Sequence, residues 1–519
     1  MAEPAKLERV TPIKHEKTGL EKVLDMVERV GNKVPHPAVI FVLLILIVII
    51  LSHIFYMMGA SATYESINPD THQPEQVTTK AQSLLTSDGL RFMYADVVKN
   101  FMGFTAVGVI IVAMLGVGVA ESAGLIKALI HKLVQVAPKK AMTYILVFIG
   151  ILSSIAADAG YLVLIPLGAA AFLSLRRHPL AGLAASFAGV AAVFTVNILI
   201  KPLDGILTGI TNDAIHLLSP SLSIDLTANF WFSVASVFML TVVVSLITDK
   251  VVEPRLGHYT GEASSEGGGG LTTEESRGLK FTVWAVVGLL VFFALLTIPR
   301  GAPLRNPETG ALIGNSPFMD GLIVFITLVF LVAGVAYGIG ATTIKSIVDV
   351  TSAMEKAVAG LGSLIFLLFI ISQFLAIFNY SNMATLAAVK VGDYLEHLGL
   401  GPLPLLVGFV FVVLLLDLIM TGAIPKWAIF APIFIPLLMR LQVKPDAVLA
   451  AYRVGDGPFN AISPLNAYFA LIVTFARKYQ KDAGVGTLVA LMLPYVVVVS
   501  VVWILLLVLW QVLALPWGF

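Results

Sequence analysis

Long apolar runs constrain what this chain can fold into more than any other feature. Examples are AVIFVLLILIVII from Ala38 and VVVVSVVWILLLVLW from Val496, and 58% of the 519 residues are hydrophobic while 13% are charged. A soluble domain is nearer half apolar and a quarter charged. Because a helix needs ~20 apolar residues to cross a bilayer, the pattern predicts an all-α polytopic membrane protein.

Several function classes are disfavoured by what the sequence lacks. The net charge of +1 argues against a nucleic-acid partner. The absence of cysteine excludes disulfides, iron–sulfur clusters and thiolate zinc sites. No H-E-x-x-H or G-x-S-x-G pattern occurs, so neither a zinc hydrolase nor a serine hydrolase is indicated. We therefore expect a protein that is not an enzyme and carries no organic cofactor.

The distribution of basic residues predicts the orientation. Seven Lys and Arg residues between Lys6 and Lys33 place the N-terminal segment, 1–35, in the cytoplasm. A glycine-rich cytoplasmic linker, 261–278, separates a first membrane half, 36–260, from a second, 279–519. Uninterrupted crossings are predicted at about 36–59, 100–125, 229–248, 280–298, 319–341, 360–379 and 486–512.

Two apolar stretches are too short to cross twice. Residues 142–175, here named the first hairpin, offer about 34 residues between basic flanks, whereas two crossings need ~40. Residues 404–439, the second hairpin, have the same difficulty. Each therefore predicts a re-entrant hairpin. Irregular backbone at such a tip is tolerated only where it is buried in protein or lines a watery cavity.

Two further crossings contain helix breakers and charges at membrane depth. Residues 180–212, the first broken helix, are interrupted at NILIKPLDG, and residues 446–476, the second broken helix, at RVGDGPFNAISPLN. The prediction is thus nine crossings and two hairpins. Broken helices expose unpaired backbone groups, which transporters use to hold cargo and cations.

The two interruptions also resemble each other. NILIKPLD (197–204) aligns with NAISPLN (460–466). Three pairs of positions correspond: Asn197 with Asn460, Pro202 with Pro464, and Asp204 with Asn466. Five crossings separate the copies, so the second is inverted, and inverted repeats of this kind place a binding site near the bilayer midplane. We expect a secondary transporter. A channel or facilitator is the alternative from another class.

Charged residues in these segments are the candidate site. They are Asp158, Asp204, Asp417, Asp456, Lys201, Lys426 and Arg453. Two interpretations of Arg453 stay open. It forms a structural ion pair with Asp456, three residues away on one helix face, or it holds a substrate carboxylate, for which a guanidinium is suited. In the second case Asp456 titrates or binds a cation.

Two more expectations concern the second hairpin. Asp417 lies where Asp456 can approach it, and two carboxylates with freed carbonyl oxygens suit Na⁺ or H⁺ as the coupling ion. Trp427, beside the tip, either stacks on an aromatic cargo or packs helices together.

With these stretches in view, the chain resembles the AbgT family, the p-aminobenzoyl-glutamate transporters. The motifs that carry the likeness are ERVGNKVPHP (28–37), DGLRF (88–92), SLITDKVVEPRLG (245–257), FNYSNM (378–383), KWAIFAPIFIPLL (426–438) and YRVGD (452–456). They span nearly the whole chain. Several motifs together make the match specific.

The resemblance implies a fold, a location and a cargo. The fold is a bowl-shaped homodimer, each chain with nine spans and two hairpins, in the bacterial inner membrane. The cargo is p-aminobenzoyl-glutamate, imported, or p-aminobenzoate-like compounds and sulfonamides, exported, with a weak preference for export. Central-cavity residues implied by the family are Asp204, Pro445, Arg453, Asp456 and Pro464.

The chain departs from the family pattern at the second hairpin. Asp417 stands where the family often has Asn. In TGAIPKW, Ile424 and Pro425 replace small residues. These differences bear on the cargo and on the coupling ion, and an added carboxylate at 417 favours protons over sodium.

Overall fold

The structure of the protein is a computed structural model. It describes residues 37–67, 74–136, 138–155, 160–259, 271–312, 316–387, 389–390, 401–418 and 422–519. The predicted N-terminal segment 1–35, most of the linker 261–278, and Asp158 lie outside the described residues.

Residues 37–259 form helices and one β-hairpin. The α-helices are Pro37–Met57, Ser87–Ala95, Val97–Met102, Thr105–Ala123, Leu125–Val136, Met142–Leu152, Ile165–Ser174, Pro179–Phe187, Pro202–Ile215, Phe230–Ile247 and Glu253–Leu256. The strands are Ser61–Ile67 and Pro74–Lys80. Short 3₁₀ turns lie at Lys139–Ala141 and Ser153–Ile155, and π-helical turns at Gly160–Leu164, Ala188–Ala192 and Thr248–Val252.

The regular structure of the described residues after 270 is helical. The α-helices are Thr273–Thr297, Pro317–Asp320, Leu322–Gly340, Ile347–Gly360, Gly362–Tyr380, Pro402–Asp417, Ala423–Arg440, Pro445–Gly455, Phe469–Arg477 and Val485–Val512. One 3₁₀ turn lies at Pro458–Ala461.

Within the described residues, eight helices are at least 18 residues long and apolar enough to cross a membrane. Seven of them overlap the uninterrupted crossings predicted from the sequence. The eighth, Ala423–Arg440, is the return arm of the second hairpin. The helical, multi-pass membrane architecture is therefore confirmed.

The helix Thr273–Thr297 begins earlier than predicted. Thr272 caps it, because its hydroxyl accepts from the Glu275 N–H at 3.1 Å while the Glu275 carboxylate accepts from the Thr272 N–H at 2.8 Å. Such a reciprocal cap satisfies two otherwise free donors of the first turn. Residues 273–278, assigned to the linker from composition, are helical for this reason.

The same helix illustrates how the apolar surface is used. Of its 25 residues, only Gly278, Thr282 and Thr297 are buried. Large apolar side chains such as Trp284 and Leu295 are 76% and 66% exposed. An apolar face of this extent is compatible with lipid as its solvent rather than water.

A two-stranded β-hairpin, which the sequence analysis did not predict, follows the first span. Ser61–Ile67 pairs antiparallel with Pro74–Lys80, with Ser61 opposite Lys80 and Ile67 opposite Pro74. The signal that would have revealed it is the alternation in SATYESI and PEQVTTK around a turn-rich NPDTHQ.

Both broken helices are interrupted where the breakers lie. The first follows Pro179–Phe187 through a π-helical turn, Ala188–Ala192, and resumes only at Pro202. The second ends at Gly455 and resumes as an α-helix at Phe469. Proline at the first position of a helix is favoured because its missing N–H would have no partner there. Helix ends therefore lie inside the protein instead of at its surfaces.

The base of the first hairpin is anchored by Arg177. Its Nε donates to both carboxylate oxygens of Glu253, at 3.0 and 3.1 Å. Its other nitrogens donate to Thr143 Oγ1 at 2.8 Å and to Asp249 at 2.6 Å. A planar guanidinium is suited to hold several oxygens in fixed directions. The hairpin is thereby fastened to the C-terminal end of the helix that starts at Phe230.

Helix Leu322–Gly340 crosses Thr105–Ala123 at very close range. A Cβ atom added at Gly334 would lie 2.6 Å from the Cα of Ala120. Small residues at such a crossing allow the two backbones to approach, which is a main source of helix association in membranes.

We expect Gly334→Leu to lower the melting temperature of the purified protein in detergent by several degrees. Overpacking of a tight contact costs about 1–3 kcal/mol. Gly288→Leu is the matched control, since a Cβ at Gly288 meets nothing within 4 Å. Equal melting temperatures for the two variants would contradict the close crossing.

Candidate functional site

Six charged side chains are buried together where the hairpins and broken helices meet. Their exposed fractions are 1% for Lys201, 9% for Asp204, 0% for Asp417, 1% for Lys426, 3% for Arg453 and 0% for Asp456. Three are cations and three are carboxylates. A charge at membrane depth costs ~2.5–3.5 kcal/mol on insertion scales, so such a set persists only if its members compensate one another.

Asp204 occupies the N-terminal turn of helix Pro202–Ile215. Its Oδ2 accepts from the Lys201 N–H at 2.8 Å. The N-terminus of a helix carries a partial positive charge, which stabilises a carboxylate placed there. Local sequence thus explains why an acid follows KPL at this point.

Arg453 joins the two broken helices. Its Nη1 donates to Asp204 Oδ1 at 2.6 Å and to the Thr195 carbonyl at 2.8 Å. Its Nε donates to Asn229 Oδ1 at 3.0 Å. In return, Thr195 Oγ1 donates to the Arg453 carbonyl at 2.8 Å. The interruption of the first broken helix is therefore tied to the last turn of the helix before the second interruption.

The interpretation that Arg453 forms an ion pair with Asp456 is wrong for this structure. The helix ends at Gly455, and Asp456 is its C-cap with φ −86° and ψ 7°. The three-residue spacing therefore does not place both side chains on one helical face. Each instead has a partner from another segment, Arg453 with Asp204 and Asp456 with Lys426.

Lys426 lies between two carboxylates. Its Nζ forms ion pairs with Asp417 and with Asp456. Asp417 ends one helix and Asp456 caps another, and the partial negative charge of a helix C-terminus disfavours an acid there. Asp456 Oδ1 faces the Lys426 ammonium, whereas Asp417 Oδ2 and Asp456 Oδ2 are buried and accept no hydrogen bond from any described residue. This triad of Lys426, Asp417 and Asp456 carries a net charge of −1 when all three are ionised.

The triad bears on the predicted cation site at Asp417 and Asp456. The two carboxylates do converge, but the position between them is taken by the Lys426 ammonium. In the part of the chain that the structure describes, no group of three or more His, Cys, Asp or Glu side chains is placed to hold a metal ion. A sodium ion at this point would have to displace Lys426.

Lys201 connects the first broken helix to the tip of the first hairpin. Its Nζ donates to Ser154 Oγ at 3.1 Å and to the Phe194 carbonyl. Asn197 reaches the same tip, since its Nδ2 donates to Ser154 Oγ at 3.1 Å and to the Ile151 carbonyl at 3.2 Å. Among the described ion pairs, none includes Lys201. Within the described ranges it is a buried cation without a carboxylate at salt-bridge distance.

A cavity of about 260 Å³ opens beside Lys201, and we name it the Lys201 cavity. Ser154, Phe194 and Lys201 contribute one part of its lining, and Ile110, Met114 and Leu364 contribute apolar walls. Ile424, one of the departures from the family pattern, also lines it. Glu121 also lines the cavity, which therefore combines apolar walls with one cation and one carboxylate. This lining suits a small aromatic solute that carries both a carboxylate and an amine.

Trp427 does not offer a free ring face in this structure. The residue is fully buried, and its ring packs against Tyr452 with 4.5 Å between centroids. Its indole N–H donates to Thr211 Oγ1 at 3.0 Å and to the Leu207 carbonyl at 3.2 Å. These two acceptors fix the ring between helices, so here Trp427 packs helices together.

The remaining predicted site residues shape the second interruption. Pro445 is buried at the first position of its helix. Asn460 donates from Nδ2 to the Asp456 carbonyl at 2.8 Å, and the Asn460 carbonyl accepts from Asn466 at 3.0 Å. Pro464 lies in the non-helical stretch before Phe469 and is half-buried. Side-chain amides thus satisfy the backbone that the break leaves unpaired.

Two contributors were missed from the sequence. Asn229 was taken only as the start of a span, and Thr195 as part of an apolar run. Both contact Arg453. No local pattern marks them, because their role depends on a residue more than 200 positions away in the chain.

Comparisons with known proteins agree over almost the whole chain. Residues 22–519 match the family model described as "AbgT putative transporter family". The chain is 36% identical over 499 residues to the p-aminobenzoyl-glutamate transport protein of Escherichia coli (strain K12), covering 96% of each protein.

Two solved structures have the same fold. The YdaH transporter of Alcanivorax borkumensis superposes with a TM-score of 0.87 at 40% identity, covering 93% of this chain and 100% of that one. MtrF of Neisseria gonorrhoeae, described with a class of antimetabolite efflux pumps, superposes with a TM-score of 0.89 at 38% identity, covering 94% and 97%.

The Asp204–Arg453 contact predicts a strong double-mutant coupling. Asp204→Asn and Arg453→Gln each leave one buried charge unpaired, which costs ~3–5 kcal/mol, so each single variant should melt well below the wild type in detergent. The double variant should recover much of the loss, because no charge is then orphaned. Arg91→Gln, on the exposed Arg91–Asp88 pair, is the control and should leave the melting temperature unchanged. Additive losses in the double variant would contradict the pairing.

Proposed function

Because the chain belongs to the AbgT family of membrane transport proteins, we propose that it moves p-aminobenzoyl-glutamate and p-aminobenzoate-like aromatic carboxylates across the bacterial inner membrane, coupled to a cation. The observation that supports this most is the Asp204–Arg453 contact between two interrupted helices. A purely structural membrane protein has no need of six buried charges at this depth, whereas a carrier of ionic cargo does.

The cargo carboxylate binds at Lys201 in this account. Lys201 borders the Lys201 cavity, and its hydrogen-bond acceptors among the described residues are neutral, Ser154 Oγ and the Phe194 carbonyl. An anion arriving there gains a charge-assisted interaction that the empty site lacks. The apolar walls receive the aromatic ring. Asp204 contacts both the Lys201 backbone and the Arg453 side chain. Arg453 is therefore the second cation that can bind a cargo carboxylate.

Charge accounting suggests how a cation is coupled. Within the six buried charges, the Arg453–Asp204 pair is neutral, the triad is −1 and Lys201 is +1, so these six sum to zero. Each bound carboxylate shifts the total by −1 and one added cation restores the balance, so p-aminobenzoate calls for one cation and p-aminobenzoyl-glutamate, with two carboxylates, for two. Because unbalanced charge is costly in a low-dielectric site, an anionic cargo and a cation favour each other's binding.

The proton is the coupling cation that this arrangement favours. A proton needs only an oxygen lone pair, and Asp417 Oδ2 and Asp456 Oδ2 accept no hydrogen bond from the residues that the structure describes. Sodium needs several oxygen ligands around an open space, and the Lys426 ammonium occupies that space. Sodium is the alternative coupling ion, and separate sodium and pH gradients distinguish the two.

The proposal also includes the number of crossings, the orientation and the oligomeric state. Nine crossings with a cytoplasmic N-terminus, an inverted repeat and a homodimer follow from the charge distribution, the paired interruptions and the family resemblance. Alternating access would then move one repeat unit against the other around the shared charges.

Efflux is the second candidate function. The similarity to MtrF, described with antimetabolite efflux pumps, favours it. A sulfonamide carries an aromatic amine but no carboxylate, so it would not neutralise Lys201 as p-aminobenzoyl-glutamate does. The two functions therefore predict different dependence on Lys201.

We predict that proteoliposomes take up radiolabelled p-aminobenzoyl-glutamate faster under an inward pH gradient than without one. The reason is that proton binding compensates the cargo's negative charge. Sodium and pH gradients are imposed separately, and a sulfonamide is measured in parallel. Counterflow against preloaded unlabelled cargo distinguishes a carrier from a channel. Flux indifferent to both gradients would indicate a facilitator.

Asp456→Ala should abolish gradient-driven flux while the protein still inserts and purifies in normal yield. The carboxylate is needed to receive the cation, whereas the helix before it remains held by Thr195 and Asn229. Asp88→Ala, at an exposed position, serves as the control. Wild-type rates in the Asp456 variant would remove this residue from the mechanism.

A further inference from the structure

A second cavity, of about 330 Å³, lies toward the far end of the helix that begins at Pro202. We name it the Asp213 cavity. Its polar lining includes Lys99, Asn100, Asp213, His216 and Asn379. Residues following that helix and the last turns of helix Gly362–Tyr380 form its walls. None of the roles assigned above uses it.

Asp213 is the unexplained group in this cavity. Its Oδ2 is buried and accepts no hydrogen bond from any described residue. No ion pair within 4.0 Å involves it among the described residues. A buried acceptor left without a donor is destabilising, so a ligand with N–H groups would find an acceptor already desolvated.

The same cavity has a positively charged side chain on another part of its lining. Lys99 is an exposed ammonium. Asn100 lies next to it and donates from Nδ2 to Gln373 Oε1 at 3.3 Å, a long bond that a better acceptor can replace. Phe104 and Leu375 supply apolar surface in between. The cavity thus combines a cation, an apolar wall and a carboxylate.

The two cavities share three structural elements. The chain around Thr105–Ala123, the helix Pro202–Ile215 and the helix Gly362–Tyr380 line both. Along the second of these, Ile206 lines the Lys201 cavity and Asp213 the other, so seven residues, or about 10 Å of helix, separate them. Leu207, Ile210, Leu368 and Ile371 lie along this interval and are fully buried. Buried apolar side chains therefore lie between the two cavities, which we call the two chambers.

We infer that the Asp213 cavity is a second binding site for an amphoteric aromatic acid such as p-aminobenzoate, with Lys99 holding the carboxylate and Asp213 accepting from the aromatic amine. It rests on the proposed function for the cargo class and for the cytoplasmic N-terminus. With the N-terminus in the cytoplasm, the cavity faces outward, where cargo is loaded or released. The two chambers are the outer and inner stations of one route along helix Pro202–Ile215.

The test uses the absence of cysteine from the chain. Asn379→Cys places a single thiol at the exposed edge of the cavity, and a membrane-impermeant maleimide reports its accessibility in the full-length protein. p-Aminobenzoate should protect this thiol from labelling. Benzoate, which lacks the amine, and aniline, which lacks the carboxylate, should each need about tenfold higher concentration, as expected for loss of one charge-assisted hydrogen bond.

Two variants locate the ligand. Asp213→Asn should remove the preference for p-aminobenzoate over benzoate, and Lys99→Gln the preference over aniline. Lys201→Gln should leave protection unchanged, because it acts in the other chamber. Lys80→Cys, exposed on the same side of the protein and outside the cavity, is the matched control and should label equally with and without ligand.

Protection that is absent, or unchanged by both Asp213→Asn and Lys99→Gln, would overturn the inference. Protection abolished by Lys201→Gln would do so as well, because it would report a distant conformational change. These outcomes are independent of flux. A wild-type protein that shows protection but moves no cargo would refute the proposed function and leave this second site standing.

Discussion

The contact between Arg453 and Asp204 holds together segments 249 residues apart in the chain. Burying an unpaired charge away from water costs free energy. Neither side chain is therefore stable in the protein interior without the other. Their pairing therefore requires the two interruptions to meet, and this positions the hairpin tips around them. Lys201 then reaches Ser154, and Lys426 reaches both Asp417 and Asp456. The placement of the whole cluster depends on this one contact.

The sequence located the charges but not their partners. Helix breakers such as the proline in KPLD and the glycines in RVGDGP can be recognised from the sequence, because they disfavour a helix within an otherwise apolar helical segment. The partner of each charged side chain depends on the three-dimensional fold. Arg453 and Asp456 have helical spacing, yet the helix stops between them, at Gly455. The position of Lys426 between two carboxylates requires knowing how three helix ends converge, which no local pattern encodes.

The fold itself was more predictable than the site. Apolar length fixed the spans, since burial in lipid demands it. The errors occurred where polar groups decide the structure: Thr272 and Glu275 start a helix inside an apparent linker, and two polar strands form a β-hairpin beyond the first span. Ile424 was noticed as a departure from the family, but only coordinates place it on the wall of the Lys201 cavity.

The most direct test of the account is an experimental structure of the protein with p-aminobenzoyl-glutamate bound. The account predicts a cargo carboxylate within hydrogen-bond distance, about 3 Å, of Lys201 or Arg453, with the aromatic ring against Ile110 and Met114. Cargo bound away from both cations, with the Arg453–Asp204 contact and the Lys201–Ser154 contact intact, would contradict it.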